Sequence, residues 1–233
     1  EVMLNALDCL LAANIPFDVV SENALTTLQD NLPKAIIFPA AYALSDETLS
    51  LMQGYAIRGA AVLLSGDPGI NPQGQRNQER YRQFLGSTFL AETGDAKGLP
   101  VPRIKTETAT LCLTEGTVTL YAIPCGAGAI YWSPLLWESA VSADLFGKDR
   151  HLTADPRQNL YLPFLKMLGF SSPLPVSNTS GIWRTSLVPS GENRLISLFP
   201  VTGENTPGTV SVAYDGLQFQ FEYTYAAPSA LLL

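Results

Sequence analysis

Residues 34–64, KAIIFPAAYALSDETLSLMQGYAIRGAAVLL, hold two apolar runs with a helical pattern between them. The runs Ala35–Phe38 and Ala60–Leu64 are continuously apolar, which is typical of strands buried on both faces of a sheet. Between them, Ser45 is a preferred helix N-cap, and the two acids that follow it suit the positive end of a helix dipole. Gly59 is a good helix stop. The order therefore predicts an α/β fold, a parallel sheet with helices on both faces.

This pattern extends in both directions along the chain. Upstream, apolar spacing predicts a helix that ends near Asn14, and Phe17–Val20 has the character of a short strand. Far downstream, Pro163 interrupts the spacing of a closing helix, which we expect to start or kink there. The remaining predicted segments are a short helix or turn at Ala24–Gln29, a loop at Gly66–Gly74, a helix at Gln75–Leu85, a Gly/Pro-punctuated stretch at Glu92–Pro102, and strands at Thr108–Leu113, Thr117–Ile123 and Ala129–Trp132.

The last quarter of the chain has a different texture. After residue 171, four short β-rich runs alternate with Gly, Pro, Asn and Asp, and Asp215-Gly216 matches the preferred two-residue hairpin turn. We therefore predict an α/β domain at residues 1–170 and a small antiparallel β domain at residues 171–233. The four runs are Ile182–Val188, Arg194–Phe199, Thr209–Tyr214 and Leu217–Tyr223.

Composition excludes several classes of partner. Hydrophobic residues make up 46% of the chain and charged residues 15%, with a net charge of −7 and no Lys/Arg-rich run. Nucleic acids and anionic membranes both require clustered cations, so neither is expected as a partner. The cysteines Cys9, Cys112 and Cys125 are too widely spaced for a disulfide framework or a zinc site, and we interpret them as structural thiols. No metal or cofactor is predicted.

Ser65 follows a buried strand, at the place where open α/β sheets bind ligands. A nucleophile elbow needs small residues on both sides of the nucleophile, but Leu63 and Asp67 occupy those positions. The stretch Gly66–Gly69 matches no phosphate-binding motif. We therefore interpret Ser65 as part of a strand-to-loop turn.

His151 and Cys125 are two further residues that could take part in catalysis. His151 is the sole histidine, so Ser-His or Cys-His chemistry would have to use it, but its polar surroundings favour a solvated loop. Cys125 lacks an activating base nearby in sequence, and Gly126–Gly128 favours a turn between two strands. The sequence thus predicts no catalytic residue.

Two tryptophans and an acid lie close together in the stretch 132–138. Aromatic rings can stack on the apolar faces of sugars, although burial is the more common role of tryptophan. The sequence does not show whether Glu138, Asp144 or Asp67 face one another across a cleft, as glycoside hydrolysis requires. The candidate ligand or rim residues are Tyr42, Ser65, Asp67, Trp132, Trp137 and Glu138.

Several stretches, in order, resemble the trimerisation domain of family 42-type β-galactosidases. They are residues 15–22 (IPFDVVSE), 34–47, 55–64 and the glycine-containing 126–132 (GAGAIYW). The resemblance implies a flavodoxin-like, class I glutamine amidotransferase-like fold, preceded by a catalytic TIM barrel and followed by a β-sandwich that begins near Gly181. It places the amidotransferase nucleophile near Ser65, where no cysteine stands. The family domain opens with a strand that this chain lacks, so we expect an N-terminal part to be missing.

The leading hypothesis is a non-catalytic C-terminal part of a larger glycoside hydrolase, serving subunit assembly or shaping the rim of an active site. Its expected partners are further copies of the chain or a missing N-terminal TIM-barrel domain. A stand-alone carbohydrate-binding module, using Tyr42, Trp132 and Trp137, stays open. So does a divergent hydrolase or amidotransferase using Ser65 or Cys125 with His151.

Overall fold

The computed structural model describes residues 2–12, 15–94, 100–115, 118–140, 158–171, 176–177, 182–190, 193–202, 208–223 and 229–232. The chain divides into two compact units. The first comprises residues 1–3 and 18–140, and the second comprises residues 4–17 and 141–233. The predicted domain boundary at residue 170 stays a prediction.

The first unit is an α/β structure. The first helix of the chain, α1, is Val2–Ala12. The elements that follow it in this unit are, in chain order, a 3₁₀ helix (Glu22–Gln29), β1 (Ala35–Phe38), α2 (Asp46–Ile57), β2 (Ala61–Ser65), α3 (Gln78–Leu85), β3 (Ser87–Gly94), β4 (Pro100–Thr106), β5 (Thr110–Glu115), β6 (Val118–Cys125), β7 (Gly128–Ser133) and the short α4 (Trp137–Ala140).

One five-stranded sheet forms the centre of this unit, in the order β1-β2-β7-β6-β5. The strands β1, β2 and β7 are parallel, and β6 and β5 continue the sheet in antiparallel orientation. All five residues of β2 are buried, as expected for a central strand with apolar side chains on both faces. The predicted α/β class is confirmed, and two antiparallel strands extend its parallel part.

Helix α2 begins and ends where its sequence predicts. The Ser45 hydroxyl accepts a hydrogen bond from the Thr48 amide at 3.0 Å, which satisfies one of the free amides of the first turn. Gly59 follows the end of the helix with φ of 113°, a conformation that suits glycine. The buried stripe of the helix, which includes Leu49, Met52 and Ala56, joins the core of the first unit.

Two sequence predictions in this unit are wrong. Phe17–Val20 forms no strand, and the side chain of Val19 is 66% exposed, because a β-rich run needs a neighbouring strand to pair with. Within the Gly/Pro-punctuated stretch Glu92–Pro102, for which no strand was predicted, residues 92–94 and 100–102 pair in the antiparallel hairpin β3–β4. Proline is tolerated there because β4 pairs on one side only, in a two-stranded sheet.

The second unit contains most of α1 (Val2–Ala12), all of α5 (Gln158–Met167) and two three-stranded antiparallel sheets. Helix α5 begins before Pro163 and continues through it, so a start at that proline is wrong, and the alternative of a kink there stays a prediction. Proline has no amide hydrogen, so the helix loses one i→i−4 hydrogen bond at this position. The turn Asp215-Gly216 has φ of 49° and 75°, as a type I′ hairpin requires. The predicted antiparallel β tail is confirmed. Its strands are β8 (Val176–Ser177), β9 (Ile182–Ser190), β10 (Asn193–Thr202), β11 (Gly208–Tyr214), β12 (Leu217–Tyr223) and β13 (Ser229–Leu232), in the orders β13-β10-β9 and β12-β11-β8.

Candidate functional site

Ser65 is the last residue of β2, and its hydroxyl has partners on both sides. Its Oγ donates a hydrogen bond to Glu138 Oε2 at 2.7 Å and accepts one from the Ala40 amide at 3.0 Å. Ser65 is 2% exposed and Glu138 is fully buried. The hydroxyl proton is therefore donated to a buried carboxylate.

The backbone that follows Ser65 is enclosed as well. Gly66 has φ of 95°, and a Cβ there would lie 2.5 Å from Cε2 of Tyr42, so that ring lies directly against the glycine. The Gly66 amide donates to the Ser133 carbonyl at 3.0 Å, and the Trp132 indole Nε1 donates to the Gly66 carbonyl at 2.8 Å. The carboxyl ends of β2 and β7 are thus tied together and covered.

Asp67 anchors the loop that follows. It is fully buried, and its Oδ1 accepts hydrogen bonds from the Tyr81 hydroxyl at 2.6 Å and the Gly69 amide at 3.0 Å. Its Oδ2 accepts from Arg76 Nη2 at 2.9 Å. Arg76 also pairs with Glu92 of β3 at 2.6 Å. A buried carboxylate with this many donors is a satisfied structural group.

The protonation states of this network follow from its surroundings. Burial raises the pKa of the Tyr81 hydroxyl, and the Asp67 carboxylate raises it further, so the phenol stays a donor. Burial lowers the pKa of Arg76, but the hydrogen bonds to Asp67 and Glu92 raise it by more, and the guanidinium stays charged. Both partners thus hold the charge state that Asp67 requires throughout the neutral range.

A second arginine joins this loop to the one that precedes α2. Arg80 is buried, and it donates from Nε to the Pro68 carbonyl at 3.0 Å and from Nη2 to the Leu44 carbonyl at 2.7 Å. It also pairs with Asp46 in the first turn of α2. Sequence reasoning missed Arg76, Arg80 and Tyr81. The one available signal was that Arg76 is the first basic residue after Asp67 along the chain.

The described structure resembles that of several solved enzymes. It matches a GH42 β-galactosidase, Gan42B from G. stearothermophilus, with a TM-score of 0.69 at 12% identity, over 99% of this chain and 36% of that one. The β-galactosidase of Rahnella sp. R3 matches with a TM-score of 0.69 at 13% identity, over 100% and 36%. That of Bacillus circulans sp. alkalophilus matches with 0.67 at 14%, over 99% and 37%.

The chain has the fold of a GH42-type domain. It spans about a third of the length of those enzymes. No protein-family model and no curated protein matches its sequence. At 12–14% identity, the likeness to the solved enzymes is one of fold.

Within this GH42-type fold, four of the six candidate residues come together at the end of β2: Tyr42, Ser65, Trp132 and Glu138. Asp67 follows them but faces the loop and α3. Trp132 is fully buried and Trp137 is 3% exposed. An indole buried to this degree has no free face on which a sugar ring could stack.

The two candidate nucleophiles, Ser65 and Cys125, lie far apart in the sheet. Cys125 pairs with Gly128, where β7 begins, whereas Ser65 pairs with Ser133, where β7 ends. That distance along the strand is roughly 16 Å at the usual rise per residue. Ser65 and Cys125 therefore share no site. His151 and Asp144 lie outside the described residues.

We expect the Cys125 thiol to react slowly. Burial raises its pKa, so at neutral pH a smaller fraction is thiolate than in a free cysteine. Iodoacetamide labelling followed by peptide mapping should show Cys125 modified more slowly than free cysteine in the same solution, and faster as the pH rises. Labelling after unfolding in guanidinium is the control and should remove the difference. Faster labelling of the folded protein at pH 7 would reveal an activated thiol.

Two structural features are absent from the described part of the chain. There, no cluster of three or more His, Cys, Asp or Glu side chains is arranged to hold a metal ion. Within the same residues, no helix has both the length and the apolar character that crossing a membrane would need.

Proposed function

We propose that the chain is an assembly module of a β-galactosidase-like glycoside hydrolase and contributes no catalytic group of its own. One observation carries the proposal. The end of β2, where the resemblance places an amidotransferase nucleophile, is occupied by a serine whose hydroxyl is buried against Glu138. The similarity to parts of β-galactosidases supports the glycosidase context.

The carbohydrate-binding alternative has less support. It depends on Tyr42, Trp132 and Trp137 as a stacking surface, but both tryptophans are buried. Tyr42 is partly exposed, and its ring is packed against Gly66. The hydrolase or amidotransferase alternative, which uses Ser65 or Cys125 with His151, also has less support. The Ser65 hydroxyl is buried against Glu138, and burial raises the pKa of the Cys125 thiol.

Two measurements on the 233-residue chain test the proposal. Sedimentation velocity over a concentration series should show a species larger than the monomer, because assembly is the proposed role. Hydrolysis of nitrophenyl β-galactoside should be undetectable. A chain that stays monomeric at every concentration would overturn the assembly role. Turnover that disappears in Ser65→Ala would overturn the non-catalytic assignment.

A further inference from the structure

A groove runs along the outer side of α2, beside the 3₁₀ helix. Its cavity volume is about 310 Å³, and Leu51, Gly54 and Tyr55 contribute to its lining. Glu47 lies at one end and Arg58 at the other. Arg58 follows Glu47 by eleven positions, which is roughly 16 Å at 1.5 Å per residue along a helix. The groove is therefore long enough to receive a segment of polypeptide.

The two charged ends of the groove differ in their availability. Arg58 Nη2 donates to the Gln29 carbonyl of the 3₁₀ helix at 2.7 Å, so this guanidinium already has a partner. Glu47 is exposed in the first turn of α2, next to Asp46. The open end of the groove is therefore anionic.

Gly54 in this groove has no role that the described chain explains. It lies in the interior of α2, where glycine costs about 0.5–1 kcal/mol relative to alanine. A Cβ built there meets no atom within 4 Å, so no neighbour in the described structure requires glycine. Glycine is also the residue that lets another backbone approach closely. Its position in the groove therefore indicates a partner segment that passes over it.

The β3–β4 hairpin has complementary features. It forms a two-stranded sheet of its own, and Phe89 and Ile104 on its inner face pack against the core of the first unit. Leu90 lies at the register shift of β3 and is 59% exposed. On β4, the exposed Arg103 pairs with Ala91, and the exposed Lys105 pairs with Thr88. The hairpin thus presents an apolar side chain beside two cations, on a chain whose net charge is −7.

We propose that the groove of one copy receives the β3–β4 hairpin of a second copy, with Leu90 seated over Gly54 and Arg103 beside Glu47. The inference rests on the proposed assembly role and names its surface. Groove and hairpin are different surfaces of one chain, so the contact is head-to-tail. Repetition of such a contact closes a ring when the rotation permits.

Leu90→Asp tests the apolar half of the contact, with Leu111→Asp as the matched control. Leu111 is 60% exposed on the edge strand β5, so the two substitutions place the same charge at equally exposed leucines. Sedimentation equilibrium should show Leu90→Asp weakening self-association roughly tenfold or more, as loss of a central interface contact does. Leu111→Asp should leave the association constant unchanged. Thermal unfolding by circular dichroism verifies that both variants are folded.

A charge exchange tests the polar half. Glu47→Arg and Arg103→Glu should each weaken self-association, and the double variant should restore it, because the pair is re-formed with its signs reversed. Gly54→Leu should block the groove while the monomer stays folded. If Leu90→Asp and the charge exchange leave an oligomer of wild-type affinity, this inference is wrong and the assembly role stands. If the wild-type chain is monomeric at every concentration, both this inference and the proposed assembly role are wrong.

Discussion

Replacing Asp67 with alanine is expected to lower the free energy of unfolding by about 3–5 kcal/mol, the range seen when one partner of a buried ion pair is removed. The fully buried carboxylate is the acceptor for Arg76, the Tyr81 hydroxyl and the Gly69 amide. Truncation to alanine removes the acceptor and leaves those of these donors that are buried without a hydrogen-bond partner. Urea unfolding followed by far-UV circular dichroism measures the loss.

An exposed ion pair of the same unit provides the control. Arg82 lies 3.5 Å from Glu79 on the surface of α3, and Arg82→Ala should cost no more than about 1 kcal/mol. Asp67→Asn keeps an acceptor oxygen but loses the charge. Its free energy of unfolding should therefore fall by less than that of Asp67→Ala and by more than that of Arg82→Ala. If Asp67→Ala costs no more than Arg82→Ala, the loop after β2 does not depend on this carboxylate.

Trp132→Ala is the second substitution with a large expected effect, about 3–5 kcal/mol of unfolding free energy, because it leaves a cavity where a whole aromatic side chain was packed. The indole is fully buried in the core cluster and packs against Tyr121, with ring centroids 5.9 Å apart. It also donates to the Gly66 carbonyl. Urea unfolding again gives the measurement.

Two further variants separate the contributions at Trp132. Trp132→Phe keeps most of the ring volume and removes the indole N–H, so it should cost less than the alanine substitution. Leu111→Ala truncates an apolar side chain that is 60% exposed and should change stability by no more than about 0.5 kcal/mol. A loss in Trp132→Ala as small as that in Leu111→Ala would show that the end of β2 tolerates an open cavity.

The elements that sequence reasoning predicted correctly are those with local causes. The apolar runs at β1 and β2, the Ser45 cap of α2 and the Asp215-Gly216 turn each depend on residues within a few positions of one another. The predicted strand at Phe17–Val20 does not form. A β-rich run is a local property of the sequence, whereas a strand also needs a neighbouring strand with which to pair. The β3–β4 hairpin was missed because prolines, which argue against a central strand, are acceptable in a two-stranded sheet.

In the candidate site, too, features with a local cause were predicted and contacts between distant residues were not. Ser65 was identified as a residue at the end of a buried strand, which follows from strand order in α/β sheets. Tyr42 and Trp132 were identified as aromatic residues that could stack on a sugar. The partner of Ser65 is Glu138, 73 residues away, and the partner of Asp67 is Arg76, nine residues away across a loop. No periodicity or spacing rule connects these residues. The pairing that closes the strand end therefore became visible only in three dimensions.

The pairing of β2 with β7 has a consequence for how the chain folds. Ala61 pairs with Ala129 in the centre of the sheet, so this contact closes a loop of more than sixty residues, whereas β3–β4 and β5–β6 pair with their sequence neighbours. Closing such a loop costs chain entropy before the strands gain any contact, so the local hairpins should form first and the parallel centre last. Until then the apolar β2 stays without its central neighbour and can associate with other chains. Slow synthesis at low temperature should therefore increase the yield of folded protein.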